Sequence, residues 1–330
     1  MDSNNLISFV IPCYRSENTI EGVVSELNEA MKEIEAGKTN LTEKYSFEII
    51  LVNDCSPDNT IGTIKRLCDE YSNITGIDFT RNFGQHSALM AGLRQAKGNI
   101  VVCLDDDGQT PPMECYKLLK ALEDGADVAY AKYAHKKHSL FRNAGSWLNE
   151  EMARFMLEKP KDLYVSSYFA VKRYIVNDMI KYENSYPYVI GLVLRATKKI
   201  VNVDVNHRNR EVGNSGYTLK KLIGLWMNGF TSFSIKPLRV ATVLGCLSAI
   251  AGFIYGIIVI IQKFTLPDRV LGFSSLMSVL VFFGGMIMIM MGMIGEYVGR
   301  IYISLNASPQ YIIKEIYGNE DKVDEDGQAK

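Results

Sequence analysis

The chain has 330 residues, with 36 Lys and Arg against 37 Asp and Glu and a formal net charge of −1. That balance leaves no basic footprint for nucleic acid, and the length allows one large domain plus a second element. The six cysteines (13, 55, 68, 103, 115 and 246) include no Cys-x-x-Cys pair, which argues against a zinc cluster or a disulfide framework and fits a reducing compartment.

The polar start, Met1 to Asn5, runs straight into a strand, so no secretory signal is expected. Residues 6–12 read as that strand, continuous and rich in β-branched side chains, as in a parallel sheet covered on both faces. Ile20, Val23, Val24, Leu27, Met31 and Ile34 recur at helical spacing over 18–36. A strand at 47–52, a helix at 58–71, a strand at 75–80, a helix near 85–96 and a strand at 99–103 follow. This alternation predicts a parallel, doubly wound α/β sheet. Such a fold favours nucleotides, yet the chain has neither Gly-x-Gly-x-x-Gly nor a phosphate-cradling Gly-Lys-Ser/Thr loop. Beyond it, 132–142 reads as a basic loop, 165–171 as a strand, 173–181 as a helix, 188–196 as an apolar segment and 200–205 as a late strand.

Asp105, Asp106 and Asp107 stand directly after the strand at 99–103. Repelling charges at the end of a buried strand are costly unless a cation neutralises them. Alone, the run reads equally as acidic residues at a helix N-terminus. Three more polar clusters sit at strand ends: Pro12 to Glu17, Asn53 to Asp58, and Arg81 to His86. In a parallel sheet all four project from one edge, where a hard divalent cation and a diphosphate could meet. The Asp105 run is no EF-hand, because its twelfth position is Tyr116. His135 and His138, with lysines between and beside them, read as loop residues.

From Val240 to Ile261, and again from Leu271 to Gly295, the chain carries no charge. Each run exceeds the ~20 residues needed to cross a hydrocarbon core, so two membrane spans are expected. Leu219, Leu222, Ile223, Trp226, Phe230 and Phe233 form a helical stripe before the first span. It reads either as an interfacial helix or as one packed on the globular domain. Lys220, Lys221, Lys236 and Arg239 before the spans, and Arg300 and Lys314 after them, outweigh Lys263 and Arg269 in the linking loop. That bias puts the globular domain and both termini in the cytoplasm. Glu296 and Arg300 are spaced for an ion pair or a lipid-phosphate contact. The expected organisation is 1–217 globular, 218–238 amphipathic, 239–296 spanning (about 240–261 and 271–295), and 297–330 a cytoplasmic tail, disordered after about 318.

With its four clusters and paired spans, the chain resembles the family-two glycosyltransferases of GT-A fold. More narrowly it resembles the polyprenyl-phosphate glycosyltransferases, which include dolichol-phosphate mannose synthases. The nearest pattern is the bacterial undecaprenyl-phosphate group that transfers glucose or 4-deoxy-4-formamido-arabinose. The resemblance covers about residues 5–315, including Gly295 to Tyr302 after the second span. It implies a GT-A domain with a mostly parallel, Rossmann-like sheet, followed by a two-helix transmembrane hairpin. It implies an inner-membrane enzyme, transfer from a nucleoside-diphosphate sugar (a UDP-sugar favoured) to polyprenyl phosphate, and homo-oligomers, often tetramers.

By the same resemblance, Pro12, Tyr14 and Glu17 line the nucleoside pocket and Asp54 hydrogen-bonds the base. Asp105 and Asp107, with Gln109, hold Mg²⁺ or Mn²⁺ on the donor diphosphate, while Asp106 touches ribose or is solvated. Arg142, Ser146 and Arg210, the last in a segment resembling Arg-x-x-Gly-x-Ser-x-Tyr, hold the acceptor phosphate. Lys136 and Lys137 either assist or belong to a solvated loop. A phosphate monoester has a second pKa of about 6, so the acceptor needs no strong general base. Inverting displacement is expected. Many relatives carry a carboxylate where this chain has Val165 to Val171 with none, which leaves the sugar open. Competing expectations are a polysaccharide-synthase-type transferase, weakened by the missing Gln-x-x-Arg-Trp segment, and a catalytically silent membrane scaffold.

Overall fold

The computed structural model describes residues 5–133, 160, 162–206, 236–265, 273–306 and 308–318. The chain divides into two compact units, Met1–Gly216 with Ser308–Lys330, and Tyr217–Ala307. In the first unit the elements run β1 (Leu6–Cys13), α1 (Ile20–Glu35), β2 (Ser46–Asn53), α2 (Thr60–Glu70), β3 (Ile74–Phe79), α3 (Gln85–Gln95) and β4 (Ile100–Cys103). After a 3-10 turn at Pro112–Glu114 come α4 (Cys115–Glu123), β5 (Val128–Tyr133), β6 (Phe169–Lys172), α5 (Arg173–Met179), α6 (Val189–Ala196) and β7 (Ile200–Val205). The second unit holds α7 (Lys236–Thr265) and α8 (Phe273–Leu305), and β8 (Ile313–Gly318) returns to the first.

The sheet order is β7-β5-β6-β4-β1-β2-β3-β8. β1 is parallel to both β2 and β4, β2 to β3, and β5 to β7. Strand β6 runs antiparallel between β4 and β5, and β8 antiparallel to β3. The sheet is therefore mixed and mostly parallel, not the wholly parallel one that strand-helix alternation predicts. Both faces of β1 are covered, which is why its sequence is apolar throughout. Ile7, Phe9 and Ile11 join the core with the buried stripe of α1, with Ile64 and Leu67 of α2 and with Leu118, Leu119 and Leu122 of α4. On the other face α3 packs on β1 and β2. Its Gly92 lies so close that an added Cβ would fall 2.3 Å from Val10 Cγ1.

Three local expectations change. The sequence reading had no element for α4 or β5, and it placed Lys132 and Tyr133 in a loop; they end β5, paired with Asp204 and Val205. Residues 134–142 lie outside the described residues. The strand expected over 165–171 starts only at Phe169. Just before it the Ser166 hydroxyl bonds the carbonyls of Ala131 and Tyr168, both at 2.8 Å, a local side-chain bond that competes with the ladder. Last, α8 runs on to Leu305 and 313–318 form β8, where a tail was expected.

The returning segment is firmly tied. Gln310, 4% exposed, donates to the carbonyls of Tyr182 (3.2 Å) and Asn184 (3.0 Å). The Tyr311 ring stacks on Phe79 (5.2 Å, 7°), and Arg94 Nη1 donates to its hydroxyl at 3.0 Å. The Thr80 N–H bonds the Ile312 carbonyl at 3.1 Å.

In the second unit, α8 contains Phe282–Gly299, an 18-residue stretch of mean hydropathy 1.4, long and apolar enough to cross a membrane; α7 contains the shorter apolar run Ala241–Ile254. The two helices meet at Ser248, whose hydroxyl lies 3.9 Å from Met286 Sδ. The stripe at 219–233 and the distal tail lie outside the described residues.

Two outcomes follow from this packing. Tyr311→Ala removes a stacked ring and a hydrogen bond, and is expected to destabilise the first unit by about 2 kcal/mol. Tyr311→Phe should cost about half as much, with denaturant midpoints deciding. His86 packs edge-on against Tyr188 (5.2 Å, 71°), and its Nδ1 is buried with no hydrogen-bond partner. Burial drives its pKa from 6.5 down to about 4. The unfolded chain then binds a proton that the native chain refuses. This contribution is complete above pH 6.5 and lost as pH falls towards 4. His86→Phe should flatten that part of the stability profile by about 2 kcal/mol. Equal slopes for variant and wild type in urea titrations from neutral to mildly acidic pH would refute it.

Candidate active site

The carboxyl ends of β1, β2, β3 and β4 point to one edge because the four strands are parallel. The turns after them bring all four polar clusters together, as ligand sites in open α/β sheets require.

The turn after β1 is bound by side chains from the second and fourth clusters and by Thr60 at the start of α2. The Tyr14 N–H donates to Asp106 Oδ2 (3.0 Å), the Arg15 N–H to Ser56 Oγ (2.8 Å) and the Ser16 N–H to Thr60 Oγ1 (2.9 Å). The Ser16 hydroxyl also donates to Asp106 Oδ2. Arg15 has φ 61° and Cys55 φ 50°, left-handed conformations that cost a non-glycine residue about 1 kcal/mol or more. The captured N–H groups hold Arg15 there, and its guanidinium lies 5.7 Å from the ring centre of Tyr14, itself 46% exposed. Pro12 is buried within β1, in register with Val52. Glu17 Oε2 accepts the Asn59 N–H at 2.7 Å, which locks the first turn onto the second.

Asp58 is the hub of that second turn. It accepts the hydroxyls of Ser56 and Thr60 and the N–H of Thr60. Burial pushes its pKa up, but these hydrogen bonds outweigh it and leave the carboxyl below its ordinary value. Asp54, 3% exposed, engages the third turn with both oxygens: Oδ1 accepts the Phe83 N–H at 2.6 Å and Oδ2 the Gly84 N–H at 2.8 Å. In this structure Asp54 anchors a loop; the resemblance implies a base contact for the same carboxylate. Burial raises its pKa against those two bonds.

The three carboxylates after β4 face three different surroundings. Asp105 accepts Gln85 Nε2 at 3.0 Å on one oxygen and the Ser167 hydroxyl on the other. Burial first, then repulsion from Asp107 and Asp106, lifts its pKa to about 6. Asp106 turns to the β1 loop, and burial raises its pKa against the bonds from Ser16 and Tyr14. Asp107 Oδ1 accepts the N–H of Gln109 at 3.1 Å, across a turn that Gly108 makes at φ 71°. Among the described residues no group of three or more His, Cys, Asp and Glu is arranged to hold a metal. The donors present still suit a hard divalent cation. Asp105 is a carboxylate whose charge is disfavoured by burial and by repulsion from its neighbours, Asp107 is a second carboxylate two residues on, and Gln109 adds a neutral amide oxygen.

Near Asp105 lies an aromatic pair. The Tyr133 ring meets Tyr164 edge-on (6.4 Å, 87°). Burial and the charges of Asp105 and Asp107 push the Tyr133 phenol up. Asn202 fixes Tyr164 by accepting its N–H (2.8 Å) and donating to its carbonyl (2.6 Å). The sequence reading assigned no role to Gln85, Ser167, Tyr133 or Asn202. Only Gln85 carried a signal, as part of the third cluster. Arg142, Ser146, Arg210, Lys136 and Lys137 lie outside the described residues. Asn206, just before the segment that carries Arg210, is held by Glu114 through its N–H (3.1 Å) and Nδ2 (2.6 Å).

Residues 8–180 match the family model for glycosyl transferase family 2, and residues 236–301 match a GtrB C-terminal hairpin. The chain is 32% identical over 317 residues to an undecaprenyl-phosphate 4-deoxy-4-formamido-L-arabinose transferase of Yersinia enterocolitica, covering 95% of this chain and 94% of that one. The protein of the same name from Proteus mirabilis is 31% identical over the same length, with the same coverage. Among solved structures, the glucosyl-3-phosphoglycerate synthase of Mycobacterium tuberculosis with uridine diphosphate aligns at TM-score 0.47 and 16% identity, over 67% of this chain and 76% of that one. A mixed, mostly parallel sheet with its acidic cluster at the carboxyl edge is the arrangement the GT-A expectation called for. With the matched model covering β2 to β6, most of β1 and all four clusters, the chain belongs to glycosyl transferase family 2.

Proposed function

We propose that the chain is a metal-dependent, inverting glycosyltransferase that moves a sugar from a nucleoside diphosphate to a polyprenyl phosphate at a membrane. The observation that carries this reading is the carboxylate pair Asp105 and Asp107 after β4, with the exposed Tyr14 at the same carboxyl edge. The acceptor class comes from the transferases that match nearly the whole chain.

Asp105 and Asp107, with Gln109, would hold Mg²⁺ or Mn²⁺, and the bound ion would neutralise the leaving nucleoside diphosphate. Gln85 and Ser167 orient Asp105 through the two bonds it accepts. The Tyr14 ring, presented by a turn held at three consecutive N–H groups, offers a face to the nucleoside. A phosphate acceptor arrives largely as the dianion near neutral pH, its second pKa being about 6. The chain then has to orient the acceptor, not deprotonate it. Arg142, Ser146 and Arg210 are the residues we assign to that phosphate.

The membrane reading rests on the second unit. Phe253 (72% exposed), Met288 (70%), Ile289 (69%) and Met291 (67%) make an apolar surface that water does not tolerate at this extent. β8 pairs with β3, so the chain before and after Tyr217–Ala307 belongs to one unit. A membrane crossed in between must be crossed an even number of times. Two crossings, by α7 and α8, satisfy this, and the Lys- and Arg-rich flanks support a cytoplasmic first unit.

Purified full-length protein in lipid nanodiscs, given undecaprenyl phosphate, Mn²⁺ or Mg²⁺ and a panel of nucleotide sugars beginning with UDP-linked 4-deoxy-4-formamido-arabinose, should yield a lipid-linked sugar from one donor. Chelator should abolish the product and Asp107→Ala should lower turnover about a thousandfold. No lipid product from any donor would overturn the acceptor assignment. For topology, Cys55 and Cys246 are the exposed cysteines. With both changed to serine, Asp268→Cys should react with an impermeant maleimide only from the face opposite Glu315→Cys. Labelling of both from one face would exclude two crossings.

A further inference from the structure

Asp106 stands between the two proposed metal ligands, yet its side chain serves a different partner. Its Oδ2 receives the Tyr14 N–H at 3.0 Å and the Ser16 hydroxyl, both from the turn that follows β1. β1 and β4 are neighbours in the sheet, with Val10 opposite Cys103, so this carboxylate spans two adjacent strand ends. The turn it grips holds Arg15 in the left-handed region at φ 61°. Successive N–H groups in such a turn form a concavity that favours an anion. Here the anion at Tyr14 is supplied by the chain itself. The other two N–H groups go to neutral hydroxyls, at 2.8 Å for Ser56 and 2.9 Å for Thr60, so Asp106 is the one charged acceptor among the three.

We infer that Asp106 is a positioning residue: its carboxylate clamps the Tyr14–Ser16 turn against the end of β4 and so sets the nucleoside face of Tyr14 relative to Asp105 and Asp107. This rests on the reading of the site as a nucleotide-sugar site. It differs from both roles the sequence leaves open for Asp106, a ribose contact or a solvated side chain. The clamp has two parts: a charge-assisted bond to Tyr14, and a hydroxyl bond that Ser16 makes while its own N–H is held by Thr60. Asp106→Ala removes both. Asp106→Asn keeps an acceptor for the Tyr14 N–H and loses the charge. Ser16→Ala keeps the charge and loses one donor.

Two measurements on the full-length protein test this. The first is hydrogen exchange without ligand, which needs no activity. Amides of 14–16 should exchange at least tenfold faster in Asp106→Ala, with Asp106→Asn intermediate, while 83–84, held by Asp54, stay as in wild type. The second is donor kinetics. Donor KM should rise about tenfold in Asp106→Asn and further in Asp106→Ala. The kcat should change less, and the Mn²⁺ concentration for half-activation should stay within about twofold of wild type. A smaller KM rise in Ser16→Ala would complete the order. Unchanged exchange at 14–16 in Asp106→Ala overturns the clamp. Loss of the Mn²⁺ response in Asp106→Asn, as expected for Asp107→Ala, makes Asp106 a metal ligand and overturns it as well. If the wild type transfers no sugar, the functional reading fails, and the exchange result still decides the clamp.

Discussion

Three carboxylates at the end of one buried strand cannot share one environment. The charges of Asp106 and Asp107 disfavour the ionisation of Asp105, and the charge of Asp107 disfavours that of Asp106. The structure separates them: Asp105 turns to Gln85 and Ser167, Asp106 to the turn after β1, and Asp107 to the N–H of Gln109. Each direction recruits a different element, namely α3 and the approach to β6, the end of β1, and the Gly108 turn. The placement of the surrounding loops follows from this division. The hydrogen bonds do not fully offset burial at Asp105 or Asp106: both are held above the ordinary carboxylate value, Asp105 at about 6. A site of that kind is a poor place for three bare charges and a good place for two of them plus a cation.

The same economy of donors organises the rest of the edge. The proposed nucleotide site has no glycine-rich phosphate loop, and its turns are held by short side chains. Ser16, Ser56 and Thr60 each accept a bond or donate one toward Asp106 or Asp58, so the first, second and fourth clusters form one hydrogen-bonded body. Asp54 adds the third through Phe83 and Gly84. Hydroxyls and carboxylates within three bonds of the backbone lose little side-chain entropy when ordered. A rigid edge can therefore be built from residues that in isolation read as ordinary turn and cap formers.

The parts of this arrangement legible in the sequence are those with a local period. The stripe Ile20 to Ile34 and the continuous apolar run of β1 announce burial on one face and on both faces, and they fall where expected. The four clusters were legible for the same reason, since each interrupts an apolar run. Antiparallel β6 and β8 were not legible, because direction in a sheet is decided by partners distant in sequence. β6 is four residues long and β8 carries Lys314 and Glu315; neither has enough apolar pattern to reveal its neighbour. Ser167 and Asn202 were invisible for a different reason. A single hydroxyl or amide has no signature until the fold sets it against Asp105 or Tyr164. The α4 stripe Leu118, Leu119 and Leu122 did carry a signal, obscured by the acidic run that precedes it.

β8 gives the fold an ordering constraint. Its partner β3 ends at Phe79, and the strand that covers this edge comes only after both long apolar helices. Until that segment is made, β3 presents an open edge, the feature most prone to pairing with other chains. Long-range closure of this kind is slow, because ordering the intervening chain precedes the contacts that reward it. The fastenings of the returning segment are correspondingly strong for its length: a buried glutamine bridging two carbonyls, a stacked tyrosine held by Arg94, and an ion pair between Lys314 and Asp78 at 3.5 Å. Phe79, beneath Tyr311, also meets Phe83 edge-on at 5.7 Å, in the turn that Asp54 grips and that leads to Gln85. The sheet edge and the support for Asp105 thus share Phe79 and the turn that leads to Gln85, so the residues beyond the apolar helices pack on the same ring as the loop that orients Asp105.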